Sequence, residues 1–204
     1  PGASQNAVQI IAHDNVLARV GTLPSTAHPT ETFVGLEKEL YFNGEPVLMY
    51  HIPKAHTDGD SLVFFRKSDV VATGDIFRTD SYPVIDLQKG GSVQGIIDGL
   101  NRVLDLAVPA HHEEGGTFIV PGHGRICDEF DVLEYRDMVT IVRDRVQAMK
   151  AKGMTVEQVK AARPTLDYDA RYGASTGAWT TDMFVDAVYR SVVASRWAIG
   201  RHRP

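Results

Sequence analysis

Residues 56–60 read His-Thr-Asp-Gly-Asp, inside the longer phrase 55-AHTDGDSLVFF-65. This polar loop lies between two apolar runs with strand character, Val47–Ile52 and Ser61–Lys67. Apolar residues are nearly continuous in both runs, which is typical of strands covered on both faces. The loop therefore predicts a histidine and two aspartates at the end of a buried strand, where side chains can meet a ligand.

Two further polar corners follow short apolar runs. Gly74-Asp75 comes after residues 70–73, and Pro-Gly-His-Gly at 121–124 comes after residues 117–120. Glycine lets the backbone turn sharply and exposes its neighbour. Three strands of one sheet that end on the same rim would bring His56, Asp75 and His123 together. Imidazole and carboxylate are ligands that suit zinc, so the sequence predicts a metal site at this rim.

The three motifs together, in this order and after strands, resemble the metallo-β-lactamase-fold hydrolases. The phrases 55-AHTDGDSLVFF-65 and 74-GDIFRTDSYPVIDLQKGGS-92 resemble one branch of them, and the likeness covers about residues 8–195. The resemblance implies an α+β fold, an αββα sandwich of two sheets, with up to two zinc ions. It implies that His56 binds the first ion and His123 the second, while Asp75 bridges them or binds the second ion and takes part in catalysis.

One motif of these hydrolases is absent. Their His-x-His-x-Asp-His sequence lies upstream of the segment that resembles residues 9–20, and no His-x-His occurs here. We therefore expect residues 1–204 to form a single, N-terminally truncated domain, the C-terminal part of an incomplete fold. Each zinc ion would keep at most two ligands, fewer than the three protein ligands of a catalytic zinc. Hydrolysis by a metal-activated water is therefore expected to be impaired in this chain alone.

Three nearby residues have two interpretations each. The carboxylates of Asp58 and Asp60 either orient a ligand imidazole or cap the turn around Gly59. Tyr82, in the loop after Gly-Asp-Ile-Phe, either contacts substrate or packs in the interior.

Composition restricts the partners. The net charge is −5, with 43% hydrophobic and 23% charged residues, which argues against a nucleic-acid-binding surface. No apolar run approaches the roughly 20 residues that cross a bilayer, so we expect no membrane partner. The resemblance to the hydrolases implies a small-molecule substrate. Cys127 is the sole cysteine and leaves the compartment open between periplasm and cytoplasm, since any signal peptide would lie upstream of Pro1. The resemblance leaves open whether the substrate contains an ester, amide, lactone or β-lactam bond.

The order of elements predicts a mixed or antiparallel sheet covered by helices on one side. Asn43-Gly44 predicts a hairpin turn, and helices are expected at about 93–107, 130–152, 155–162 and 181–198. A sheet that is apolar on both faces then lacks one cover. This favours the alternative function, a non-catalytic truncated scaffold that forms a homo-oligomer or pairs with a complementary N-terminal fragment.

Overall fold

The structure is a computed structural model, and it describes residues 8–21, 23–112 and 115–192. The described residues form seven strands and six α-helices, with most strands in the first half of the chain and most helices in the second. The strands are β1 Ile11–His13, β2 Glu31–Phe33, β3 Glu37–Phe42, β4 Glu45–His51, β5 Ser61–Phe65, β6 Val70–Arg78 and β7 Phe118–His123. The helices are α1 Asp14–Leu17, α2 Val93–Leu106, α3 Glu129–Ala151, α4 Val156–Ala161, α5 Asp169–Tyr172 and α6 Thr181–Ser191.

Strands β3 to β7 form one mixed sheet in sequence order. Neighbours are antiparallel from β3 to β6, whereas β7 runs parallel to β6. The connection from β6 to β7 contains α2, as a parallel crossover requires. Strands β1 and β2 form a separate parallel pair. The predicted α+β class and mixed sheet are confirmed.

Turn chemistry explains the β3–β4 hairpin. Asn43 and Gly44 have φ angles of 51° and 83°, and positive φ at both positions is what the tightest hairpin turn needs. The hairpin predicted from these two residues is therefore confirmed.

Strand β6 differs from the prediction. A corner was expected directly after Thr73, but the strand continues through Gly74 and Asp75 to Arg78. The pairing with β7 shifts register on both sides of Gly74, as at a β-bulge. The prediction of a strand end here was wrong, because the glycine bends the strand without ending it. Asp75 therefore projects from an irregular point inside a strand.

Helices cover one face of the sheet. The core there includes Leu62, Val71 and Ile119 from the strands, all fully buried, packed in one cluster with Leu100 of α2 and Val139 of α3. Side chains cap two of these helices: Ser92 accepts from the N–H of Gly95 at the start of α2, and Asp128 and Asp131 form a capping box at the start of α3. The last predicted helix is present as α6, and its expected end at Ala198 lies outside the described residues.

The opposite face of the sheet carries two cross-strand rows that are almost entirely apolar. Residues paired across strands lie on one face, so the register defines both rows. The rows are Leu40, Val47, Phe65, Val70 and Phe118, and Lys38, Met49, Val63, Ala72 and Val120. Phe118 and Val120 are 53% and 37% exposed. The expectation of apolar residues on both faces is thus confirmed, and part of the second face is open.

The β1–β2 pair contacts the sheet at His51, the last residue of β4. The ring of His13 stacks on that of His51 with centroids 3.6 Å apart, and Phe33 meets His13 edge-on. Arg19 of the following turn forms a two-pronged ion pair with Asp58. Strands β1 and β2 and the turn after α1 are thereby attached to the sheet and to the 56–60 loop. No described helix has the length and apolar character that a membrane span requires.

Candidate metal centre

His56 is fixed by the loop that follows β6. Its ring Nδ1 lies 2.8 Å from the carbonyl oxygen of Val84, and its own carbonyl accepts from the backbone N–H of Asp86. Gly91 passes so close that a Cβ there would lie 2.3 Å from the His56 carbonyl oxygen. Only glycine allows this approach, which holds residues 84–91 against the histidine loop.

His123 is the last residue of β7, and a glycine brings it to Asp75. A Cβ on Gly122 would lie 2.6 Å from the Gly74 carbonyl oxygen and 2.8 Å from Asp75 Oδ1. A side chain at position 122 would therefore push β7 away from β6. The glycine flanking the histidine thus serves close backbone approach as well as the turn.

The three predicted ligands lie together. His56 Nε2 is 3.8 Å from Asp75 Oδ2, and His123 Nε2 is 3.3 Å from Asp75 Oδ1. Two ligands on one tetrahedral zinc ion are about 3.4 Å apart, given metal–ligand distances near 2.1 Å. Both contacts are near this value. The side chains of His56, Asp75 and His123 are 23%, 38% and 52% exposed, so a small molecule can reach them.

Hydrogen bonding sets the electrostatics of the His56–Asp75 pair. Because Nδ1 of His56 donates its proton to the Val84 carbonyl, Nε2 of the neutral ring is an acceptor. This acceptor faces a carboxylate oxygen, also an acceptor, at a distance too long for a hydrogen bond. Two acceptors facing each other repel unless a cation or a proton lies between them. The arrangement is the one that a bound metal ion would stabilise.

The number of ligands falls short of a complete site. Across the described ranges, no group of three or more His, Cys, Asp or Glu side chains is arranged to hold one metal ion. The donors therefore fit zinc in chemical type and in pairwise spacing, but not in number, since a catalytic zinc takes three protein ligands. One carboxylate oxygen of Asp75 faces His56 and the other faces His123. The three side chains therefore form two pairs of metal donors, which we call half-sites, and not one complete site.

Asp58 and Asp60 bond to the loop and its surroundings. Both carboxylate oxygens of Asp58 accept from Arg19, and this contact lowers the pKa of Asp58. The Asp60 carboxylate accepts from the backbone N–H and the hydroxyl of Thr57, at 2.8 and 3.0 Å, while burial raises its pKa. The carbonyl of Val84, not either carboxylate, orients His56. The turn-capping interpretation describes Asp60, whereas the Asp58 carboxylate binds Arg19 in the turn after α1.

Tyr82 is interior. Its side chain is 1% exposed, stacks on Phe184, and donates its hydroxyl proton to Thr165 O or Asp169 Oδ1. Burial raises its pKa above the ordinary value. Tyr82 therefore packs in the interior, which is the second of its two interpretations.

Sequence reasoning missed two partners of this centre. Val84 acts through its backbone carbonyl, which no side-chain pattern reveals. Arg19 is far from Asp58 in the chain and lies in a segment without a motif. Neither had a signal in the sequence, because each acts through a contact made only in the folded chain.

No model of a protein family and no curated protein sequence matches this chain. Several solved structures are similar to it. The inverting sec-alkylsulfatase Pisa1 from Pseudomonas sp. superposes with a TM-score of 0.58 at 13% identity, over 82% of this chain and 28% of the alkylsulfatase. A metallo-β-lactamase from Pontibacter korlensis gives 0.47 at 15% identity, over 65% and 58% of the two chains. The metallo-β-lactamase DIM-1 gives 0.49 at 17% identity, over 65% and 57%.

The chain has the metallo-β-lactamase-like fold that its motifs predicted. Among the described residues there is one five-stranded sheet with helices on one face, which is part of an αββα sandwich. The incomplete fold expected from the sequence is confirmed to that extent. The chain spans 28% of the length of the alkylsulfatase, and a likeness at 13% identity establishes the fold alone.

Proposed function

We propose that this chain carries part of the metal centre of a metallo-β-lactamase-fold hydrolase that cleaves an ester, amide, lactone or β-lactam type bond in a small molecule. One observation carries the proposal: the Nε2 atoms of His56 and His123 each face a different oxygen of the Asp75 carboxylate. The alkylsulfatase likeness supports the fold in which such a centre would act.

The residues have distinct parts in this proposal. The Val84 carbonyl keeps His56 Nε2 free to bind a cation, and Asp75 presents one oxygen toward each histidine. Zinc, when bound, supplies Lewis acidity and lowers the pKa of a bound water toward about 7. With at most two ligands for each ion, binding is expected to be weak, and hydrolysis by this chain alone is expected to be impaired.

Zinc binding tests the proposal. We expect the parent chain to bind zinc in calorimetric titration, and Asp75→Ala to bind at least tenfold more weakly, because Asp75 is shared by both half-sites. Asp80→Ala is the matched control: Asp80 is an exposed carboxylate nearby that pairs with Arg78, so its loss should leave zinc affinity within about twofold. Equal zinc affinity in the parent and in Asp75→Ala would contradict the metal site.

Hydrolysis is then measured with chromogenic ester and β-lactam substrates, with zinc and with a chelator. Any turnover is expected to need zinc and to disappear in Asp75→Ala. Turnover that survives both the chelator and this substitution would exclude the proposed chemistry.

A second candidate function rests on the open sheet face. We propose self-association through the two apolar cross-strand rows that include Phe118 and Val120, which are partly exposed. Nine of the ten side chains in these rows are apolar, so the matching surface is another apolar face, and a second copy supplies one by two-fold symmetry. Light scattering that reports the mass of a single chain at high concentration would remove this candidate.

A further inference from the structure

A cleft lies beside His56, between the 84–89 loop and helix α6. Its volume is about 660 Å³, within the range of small-molecule sites. His56 forms part of its wall, whereas Asp75 and His123 do not. Val84, whose carbonyl orients the His56 ring, also lines it. The cleft therefore borders the candidate centre at His56.

The walls of the cleft are largely apolar. Leu87 of the loop lines it, as do Trp179, which precedes α6, and Met183 and Ala187 of α6. The indole N–H of Trp179 is buried without a partner in the described part of the chain. These surfaces suit an uncharged, apolar group better than a strongly hydrated one.

The charges around the cleft cancel. Three acidic and three basic side chains line it: Asp86, Asp182, Asp186, Lys89, Lys160 and Arg190. Lys89 pairs with Asp86, and Lys160 and Arg190 both approach Asp186. A polyanionic substrate such as a nucleotide would find no excess of positive charge here. The balance instead favours a substrate whose buried part has no net charge.

We infer that the cleft holds the apolar acyl or alkyl group of an ester-type substrate while its polar bond lies at the His56–Asp75–His123 centre. This inference rests on the proposed hydrolase function and narrows its substrate to uncharged esters or lactones with a medium-length carbon chain. It assigns to Met183 and Trp179 the contact with that chain.

Binding of 2-octanone tests the inference without chemistry, because a ketone has the shape of an ester but cannot be hydrolysed. The chain has two tryptophans, so Trp197→Phe leaves Trp179 as the sole tryptophan fluorophore. We expect 2-octanone to change Trp179 emission saturably, and 2-butanone to bind at least tenfold more weakly because it lacks four methylenes. Calorimetry on the parent chain gives the same comparison if Trp197→Phe fails to fold.

A pair of variants locates the binding. Met183 lines the cleft and is 43% exposed, so Met183→Asp should fold and weaken 2-octanone binding at least tenfold. Leu166 is 52% exposed and is not among the residues lining the cleft, so Leu166→Asp is the matched control with unchanged binding.

The outcomes separate this inference from the proposed function. Absence of saturable 2-octanone binding, or equal binding by Met183→Asp and the parent, overturns the inference even if zinc binds through Asp75. If 2-octanone binds normally but Asp75→Ala binds zinc as tightly as the unmodified chain, the inference about the cleft is supported and the proposed hydrolase centre is overturned.

Discussion

At the scale of the residue, the candidate metal centre depends on two glycines, because neither has a side chain that would block a close backbone contact. Gly122 has no Cβ, and this lets the end of β7 touch Gly74 and bring His123 to Asp75. Gly91 does the same for the loop that holds His56. The two glycines therefore position the metal donors His56 and His123, although glycine itself binds no metal through a side chain.

Gly122→Ala tests this role. The added methyl would lie 2.6 Å from a backbone oxygen and should separate β7 from β6, at a cost of about 1–3 kcal/mol in the free energy of unfolding. We expect zinc affinity to fall at least tenfold as His123 moves from Asp75. Gly173→Ala is the control, since its methyl would also lie 2.6 Å from a backbone oxygen, that of Asp169, and His56, Asp75 and His123 are not among its contacts.

Chemical denaturation and calorimetric zinc titration measure the two effects. Both variants should lose stability, but only Gly122→Ala should lose zinc affinity. If Gly173→Ala weakens zinc binding equally, general destabilisation and not the approach of β7 explains the loss.

At the scale of the element, strand β1 is attached to β4 by the stacked rings of His13 and His51. Burial and the neighbouring His13 lower the pKa of His51 from its ordinary value of 6.5. The groups facing His51 are the ring of His13, the carbonyl oxygen of Asp60 at 3.1 Å, and the more distant Asp58 and Asp60 carboxylates. The folded state therefore resists protonation of His51.

This gives a pH dependence with a definite sign. Below about pH 6.5 the unfolded chain binds a proton at position 51 that the folded chain refuses, so stability is lost as pH falls toward the lowered pKa. The pKa of Asp58 is lowered by Arg19, so that ion pair should persist through this window. We expect the midpoint of thermal unfolding to fall from pH 7.5 to 5.5.

His51→Phe keeps an aromatic ring against His13 but removes the titrating group. Its unfolding midpoint should fall less than that of the parent between the two pH values. His112→Phe, on an exposed turn, is the control and should keep the full pH dependence. If His51→Phe shows the same decrease as the parent, other groups carry the effect.

At the scale of the whole molecule, the two faces of the five-stranded sheet differ in burial. Helices α2, α3 and α6 bury one face, while the other face exposes Phe118 and Val120. Exposed apolar patches of this kind mark interfaces in soluble proteins. The fold thus supplies a reason for association that is independent of any metal.

Phe118→Asp tests the interface. Phe118 is 53% exposed, so the substitution should leave the fold intact while introducing a charge into the apolar row. We expect light scattering to give a mass above that of one chain for the parent and a shift to the single-chain mass for this variant. Ile141→Asp, on the exposed side of α3 and 40% exposed there, should associate as the parent does. Association that survives Phe118→Asp would place the contact elsewhere.

The sequence by itself determined the local structure and the identity of the donors. The Asn43-Gly44 turn, the capped helices α2 and α3, and the motifs carrying His56, Asp75 and His123 are all encoded by residues close together in the chain. Such patterns act through φ preferences, capping bonds and periodic apolar faces, which need no distant partner.

Only the tertiary structure decided how those pieces meet. It placed Asp75 at a bulge inside β6 instead of at a strand end, gave His56 the Val84 carbonyl, moved Tyr82 into the interior, and formed the cleft from α6 and a loop far away in sequence. The physical reason is that these contacts arise from sheet order, register and close backbone approach. Their energies depend on residues that are neighbours only after the chain has folded.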